Sequence, residues 1–470
     1  MTNKAAPCPA RIDRASSVPI QHQVYDAVRA AVIEGRIRGG QRLASTRSLA
    51  SQLNVARGTI DLAYSRLAEE GFLVARRQQG TFVSTAVDWG RMKRPHDRSA
   101  LGQARVVDEY WLPFRLGVPA LDLFPRKAWA RLAAREARRS EAGGLTYPDP
   151  TGLAALREAV AAYLVLARGV ACSPERIIVT SGYQGAVNLV ADLVLGRQDS
   201  VWMEDPGYGF AAEALKARSA RITPVPVDAS GIRLEVARAL DDTARLAVVT
   251  PAHQFPLGHT MSLARRHALL AWASEQDAWI LEDDYDCEFH YSGRRPPALK
   301  SLDRADRVFY AGSFSKTLFP SLRLGYLVVP ASLLPAARRA CTDLHRGCPA
   351  HGQAVVAAFL AEGHFARHLR RMRLHYRRRR DALAAALADA FGAAAEITFQ
   401  GGGLHLLARL SGFGPDVEQA RRAREHGLMP HPLSEQAFKH DVGEGLLMSF
   451  TNLPEGAAVE AAARLRRAVG

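Results

Sequence analysis

Between residues 176 and 328, short apolar runs alternate with Ala/Leu-rich helical stretches. The runs are Arg176–Thr180, Ser200–Glu204, Leu246–Thr250, Ala278–Asp283, Val308–Ala311 and Leu324–Val328. Helical patterns such as Gly185–Leu195 and Leu263–Ser274 lie between them. Strands apolar on both faces need cover on both faces, and helices between them supply both the cover and the crossover. The alternation therefore predicts an α/β fold built on a mostly parallel sheet. After about Pro330 the chain becomes helical and Arg-rich, then shows short strands near Gly403–Leu410 and Leu446–Phe450. These predict a small C-terminal α+β subdomain. The chain has 470 residues, room for two or three domains at roughly 150 residues each, and shows no internal repeat.

The first hundred residues have a different texture. Ile20, Val24, Val28 and Val32 recur every four residues, the stripe of an amphipathic helix. Gly35, Gly39 and Gly40 close it. Ser45 is placed to cap a short helix through Leu49, Ala50 and Leu53, and Asn54-Val55-Ala56 forms a turn. A further helix is expected from about Gly58 to Glu70, with Ile60, Ala63, Tyr64 and Leu67 on one face. Two strands, Phe72–Val74 and Thr81–Val83, flank a turn at Gln78-Gln79-Gly80. That order predicts a winged helix-turn-helix over residues 15–84, whose last helix lies in the DNA major groove. The competing reading is a small helical interaction domain with solvated arginines. Arg57 and Thr59, at the start of the recognition helix, are the candidates for reading bases, since Arg forks onto guanine. Arg47, Arg76 and Arg77 are the candidates for phosphate contacts. Residues 85–111 are polar and charged without a period and are expected to be a mobile linker. Residues 112–470 form the α/β domain.

Charge supports the division. The net charge is +15; residues 1–100 hold 16 Lys+Arg against 8 Asp+Glu, so about half of the excess lies in a fifth of the chain. A basic end is the footprint of nucleic-acid binding. The other basic cluster, His364–Arg380, keeps a stripe of Phe365, Leu369, Met372 and Tyr376 and is expected to be the polar face of a packed helix. No apolar run approaches the ~20 residues of a membrane span. The Ala382–Ala395 stretch is too short and is interrupted by Asp389. The N-terminus lacks the apolar core of a signal peptide, so a cytoplasmic location without membrane partners is expected. The five cysteines are scattered, with no C-x-x-C pair; reduced thiols and no metal site are expected.

The chemistry concentrates in three segments. Gly312-Ser313-Phe314-Ser315-Lys316-Thr317 follows an apolar strand, and Arg323 comes seven residues after the lysine. A lysine there suits pyridoxal 5′-phosphate (PLP), whose aldehyde forms a Schiff base with an amine. Ser313, Ser315 and Arg323 can donate to its phosphate. Leu281-Glu282-Asp283-Asp284-Tyr285-Asp286 ends a strand with acids and a tyrosine. PLP needs a carboxylate against its pyridine nitrogen; Asp283 is assigned, with Asp284 and Asp286 as alternatives, and Tyr285 can bond the ring's phenolic oxygen. A metal site or a solvated turn would also present such acids. Thr180-Ser181-Gly182-Tyr183-Gln184-Gly185 leads from a strand through glycine into a helix, the form of a phosphate cradle.

These segments, in this order, resemble the MocR subfamily of GntR-type bacterial regulators, which join a winged helix-turn-helix to a domain like the fold-type I PLP-dependent aminotransferases. The resemblance runs from about Val18 to Ala468. It is carried by residues 41–83 in the head, and by 146–160 (TYPDPTGLAALREAV), 204–210 (EDPGYGF), 250–262 (TPAHQFPLGHTMS), 281–289 (LEDDYDCEF) and 312–326 (GSFSKTLFPSLRLGY) in the α/β part. It implies that Lys316 is the Schiff-base lysine and Asp283 the pyridinium partner. Tyr285 and Gln254 are implied near the ring oxygen, and Tyr208 against the ring face. Tyr183, Gln184, Ser313 and Arg323 are implied at the phosphate, and Tyr147 at the phosphate of the partner subunit's cofactor. A homodimer with swapped heads is implied as well.

The chain departs from the family pattern in places. Ala44 replaces a proline, Ala56 a serine cap, and Gln78 a wing glycine. Aminotransferases place an arginine for the substrate carboxylate within the stretch matching Leu446–Leu453 (LLMSFTNL), which here has no basic residue; Asn452 offers only hydrogen bonds, and Arg115 is the other candidate. The resemblance implies a PLP-dependent transcription regulator that binds double-stranded operator DNA and responds to PLP or to an amine or amino acid. The alternative is an active aminotransferase carrying a DNA-binding head.

Overall fold

A computed structural model describes residues 12–86, 111–140, 145–291, 293 and 295–470. The chain divides into two units, 1–104 and 105–470, and each encloses hydrophobic clusters of its own. Most of the expected linker, including the charged run from Trp89 to Glu109, lies outside the described residues.

In the first unit, α1 (Ile20–Ile33) buries Val24, Tyr25, Val28, Ala31 and Val32. α2 (Thr46–Leu53) starts at Ser45, whose hydroxyl accepts from the Ser48 N–H at 3.1 Å. It ends at Asn54, a left-handed residue at φ 51°. α3 (Arg57–Glu69) turns Ile60, Ala63, Tyr64 and Leu67 inward, and the Tyr64 hydroxyl donates to Ala44 O at 3.2 Å. The wing pairs β1 (Leu73–Arg76) with β2 (Gly80–Val83) in antiparallel register, Leu73 opposite Val83. Two departures from the family sequence have local consequences. Ala56 is the N-cap of α3 and supplies no side-chain bond. Gln78 takes φ 60° at the wing tip, a conformation that costs a residue with a Cβ roughly 1 kcal/mol.

The second unit is built on eight strands: β3 (Ile177–Thr180), β4 (Ser200–Asp205), β5 (Arg221–Asp228), β6 (Gly231–Ile232), β7 (Leu246–Val249), β8 (Trp279–Asp283), β9 (Val308–Ser313) and β10 (Gly325–Val328). Their order is β3-β10-β9-β8-β7-β4-β5-β6. β9, β8, β7, β4 and β5 are parallel; β10 runs against both of its neighbours, and β6 against β5. β3, β4, β7 and β8 are buried along their whole length, as a sheet covered on both faces requires. The sequence does not announce β5. Pro224 and Pro226 argue against a central strand, and β5 lies next to the sheet edge with only the two-residue β6 beyond it.

The C-terminal sheet joins β11 (Ala395–Thr398), β12 (His405–Leu410), β13 (His431–Pro432) and β14 (Leu446–Ser449), in the order β11-β12-β14-β13, all antiparallel. The helix His364–Phe391 buries Phe365, Leu369, Met372 and Tyr376 and leaves Arg370, Arg371, Arg377 and Arg378 exposed. Arg379 breaks that pattern: it is buried, and it donates to Asp122 at 2.6 Å and to the Thr451 carbonyl at 2.5 Å. Among the described residues no helix is long and apolar enough to cross a membrane.

Candidate cofactor site and nucleic-acid interface

The chemistry-bearing residues of the second unit gather at one end of the sheet. β8 delivers Asp283, β9 delivers Ser313, β3 leads into Ser181-Gly182, and the antiparallel β10 begins there at Gly325. Pairing holds the register: Gly325 faces Thr180 on one side and Ser313 on the other. Carboxyl ends of parallel strands are where α/β sheets bind ligands.

Period-two alternation along β8 separates the acids. Glu282 accepts the N–H groups of Leu299 and Lys300 at 2.7 and 2.8 Å. Asp284 forms a buried two-point ion pair with Arg168, at 2.6 and 3.2 Å, and accepts a bond from the Tyr310 hydroxyl. Both are thereby committed to the scaffold. Asp283 is 7% exposed, with Tyr183 beside it. Burial pushes its pKa well above the usual carboxylate value, and the charges of Asp284 and Asp286 add to this. A carboxylate so placed needs a cation opposite it, which is what a pyridinium nitrogen provides.

Lys316 lies in the short helix Phe314–Thr317 that Ser313 caps; the Ser313 hydroxyl accepts from the Ser315 N–H at 3.1 Å. The Lys316 amine donates to Gly117 O at 3.1 Å. Burial lowers its pKa, against the opposing pull of Asp283 and Asp286, which favours the neutral, nucleophilic amine. Gly117 has φ +83°, and a Cβ there would stand 2.7 Å from the lysine nitrogen. The positive φ favours glycine there, and a Cβ would displace the flexible end of the lysine.

The phosphate cradle forms where Gly182, at φ +76°, opens the helix Tyr183–Val194. Arg323 is held in a left-handed conformation, φ 51°, with its guanidinium donating to Ser181 O at 3.3 Å and lying over Gly182. A helix N-terminus is electropositive. A guanidinium beside it is unfavourable unless an anion is shared between them, so the pair fits a phosphate. The Tyr183 hydroxyl is turned toward Asp283, and the Gln184 amide donates to Phe210 O at 3.1 Å. What these two residues offer an anion is their backbone N–H groups.

Tyr285 and Tyr208 flank the same space. The Tyr285 hydroxyl is 3.0 Å from His253 Nδ1, which also stands 3.0 Å from Asp286 Oδ2. Tyr208 packs edge-on against Phe255 at 5.8 Å and lies 6.0 Å from Tyr183. Gln254 is bonded to the backbone around it. Its Nε2 donates to Pro206 O at 2.8 Å and to Phe255 O, and its Oε1 accepts from the Leu257 N–H at 3.1 Å. The carboxamide clamps its loop to the one after β4. His253, the residue before it, is the side chain that reaches Tyr285. Glu204, at the end of β4, supports this loop: its Oε2 accepts from the N–H and hydroxyl of Thr250, and Thr250 Oγ1 accepts from the Phe255 N–H. Burial raises its pKa to about 7. Asn452 donates to Leu112 O at 2.9 Å, and Arg115 is half-buried with Nη1 3.2 Å from Met429 Sδ. Tyr147 is 99% exposed within the chain.

In the head, Arg57 is the first residue of α3, exposed, and 3.5 Å from Asp61, an exposed pair of small energy. Arg47 and Arg77 are exposed; Arg76 lies over the Phe82 ring at 4.8 Å; Thr59 is half-buried.

The aminotransferase class I and II family matches residues 114–413, and the gntR family of bacterial regulatory proteins matches residues 20–83. The chain is 36% identical to the probable rhizopine catabolism regulatory protein MocR of Rhizobium meliloti, over 94% of this chain and 92% of that one. The chain belongs to the MocR-type GntR regulators. A second relative of this MocR-type chain is the pyridoxine biosynthesis transcriptional regulator PdxR of Corynebacterium glutamicum, 34% identical over 80% of each chain. The fold of the second unit is that of fold-type I aminotransferases. The α-aminoadipate aminotransferase LysN of Thermus thermophilus, solved with N-(5′-phosphopyridoxyl)-L-leucine, superposes with a TM-score of 0.69 at 29% identity, covering 82% of this chain and 98% of its own. This MocR-type chain is thus a DNA-binding transcriptional regulator carrying an aminotransferase-like PLP domain.

Proposed function

We propose that this MocR-type regulator holds PLP on Lys316 and changes its operator affinity when PLP, or an amine reacting at bound PLP, occupies the site. The observation that carries the reading is the convergence of a buried lysine amine, a buried Asp283 and an arginine set at a helix N-terminus. When bound, PLP supplies an aldehyde that condenses with amines and a ring that withdraws electrons. The chain supplies the rest. Gly117 O orients the lysine, Asp283 faces the ring nitrogen, and the Tyr183 and Gln184 N–H groups with Ser313 and Arg323 bind the phosphate. Tyr285, backed by His253, offers its hydroxyl to the ring oxygen, and Tyr208 covers the ring. Tyr147, exposed in its own chain, completes the phosphate site of the partner in a homodimer. Arg57 and Thr59 read bases, and Arg47, Arg76 and Arg77 bind phosphates. Such coupling requires the ligand to bind the two DNA-affinity states unequally.

The test compares wild type with Lys316→Ala, each incubated with PLP and dialysed, by visible absorption and by binding to the DNA upstream of its own gene at fixed salt. Wild type is expected to keep a visible band and to change DNA affinity with PLP; Lys316→Ala is expected to do neither. A variant that keeps both properties refutes the assignment.

A further inference from the structure

The segment beside the lysine amine packs on a cluster of leucines. The chain approaches Lys316 through Phe114-Arg115-Leu116-Gly117. Its path is fixed by an antiparallel bridge between Phe114 and Ser449, with the Ser449 N–H donating to Phe114 O at 2.9 Å. That bridge brings Leu116 alongside Leu447, and Leu116 packs on a cluster formed by Leu447, Leu407 and Leu433. Leu257, from the loop that Gln254 clamps, closes the same cluster. Leu447 and Leu433 are fully buried, and Leu116 and Leu257 are half-buried. A ligand amine at Lys316 therefore has an apolar surface one residue from Gly117.

The polar groups nearby do not change this. Asn452 spends its amide on Leu112 O. Arg115 turns its guanidinium toward Met429, and its charge helps burial depress the pKa of His431 to about 4, so that imidazole is neutral at pH 7. His405, on the strand that carries Leu407, also has its pKa lowered by burial, to about 4. A carboxylate against Leu116 and Leu257 loses its water and gains nothing from those two side chains, whereas an alkyl or aryl group gains burial.

We infer that the effector is a primary amine with an apolar body and no carboxylate, seated with that body on Leu116 and Leu257, which the buried Leu447 backs. The inference rests on PLP being held at Lys316. The test titrates PLP-loaded wild-type protein with matched pairs, 2-phenylethylamine against phenylalanine and 3-methylbutylamine against leucine. It follows the cofactor's visible band and the affinity for DNA. In each pair the amine is expected to half-saturate at a concentration at least tenfold below that of the amino acid, and to move DNA affinity. An amino acid that binds as tightly as its amine overturns the inference, as does silence toward both. Leu116→Arg tests this seat directly: it is expected to shift the preference at least tenfold toward the amino acid. An unchanged preference in a variant that still retains PLP overturns the placement. Wild-type protein that shows no cofactor band instead refutes the PLP reading itself and removes the inference with it.

Discussion

Glu204 gives the protein a calculable pH dependence. It is 4% exposed, accepts two bonds from Thr250 through Oε2, and leaves Oε1 without a protein partner. Burial raises its pKa from 4.5 to about 7. The folded protein therefore binds this proton more tightly than the unfolded chain does. The resulting stabilisation is complete below pH 4.5 and is lost as pH rises through about 7. At 1.36 kcal/mol per pH unit, the interval corresponds to about 3 kcal/mol. Glu204→Gln resembles the protonated acid in shape and cannot ionise. Urea unfolding of wild type and variant across pH 5–8 isolates the contribution, because every other titrating group is shared. The two proteins are expected to be similar at pH 5, with the variant gaining up to about 3 kcal/mol by pH 8. Parallel stability curves across that range would refute the reasoning and show that Glu204 ionises without cost.

Ala56→Ser restores a side-chain cap to α3 and is expected to stabilise the head by about 1 kcal/mol, seen as a rise of several degrees in the thermal transition of the head; no rise would mean that the first turn is already satisfied. Arg57→Ala is expected to weaken operator binding by about 1–3 kcal/mol and non-specific binding far less, measured by competition at fixed salt. An equal loss on all sequences would make Arg57 a phosphate contact. Gly117→Ala places a Cβ 2.7 Å from the Lys316 amine at φ +83° and is expected to lower PLP retention in equilibrium dialysis while sparing PLP-free DNA binding; wild-type retention would show that the lysine does not need Gly117.

Much of this was legible in the sequence because the signals were local. An apolar run of four to six residues with a helix after it is a strand in a covered sheet, and those runs gave β3, β4, β7, β8, β9 and β10. A lysine or an acid directly after such a run must stand at the strand's carboxyl end, which placed Lys316 and Asp283 together without any distance being known. The head was readable from its four-residue stripe and its capping serine. What escaped was non-local. β5 hides behind two prolines that only an almost-edge position tolerates. Asp283 could be ranked above Asp284 but not separated from it, since Asp284 is removed by Arg168, 116 residues earlier. The bond of Gln254 to Pro206 O was hidden as well, because that partner lies 48 residues away.

The same distinction governs the stretch Leu446–Leu453. In the sequence it registers only as a missing arginine, an absence that leaves the ligand's chemistry open. The bridge of Phe114 to Ser449 joins residues 335 positions apart and converts the absence into a surface, because it sets Leu116 against Leu447 beside the lysine. A lost cation alone would be compatible with a water-filled site that still admits amino acids. A leucine wall excludes the water that would solvate a carboxylate, so it selects against one. The departure from the aminotransferase pattern is therefore the ground of the inferred preference for apolar amines, in a site that keeps the residues suited to PLP.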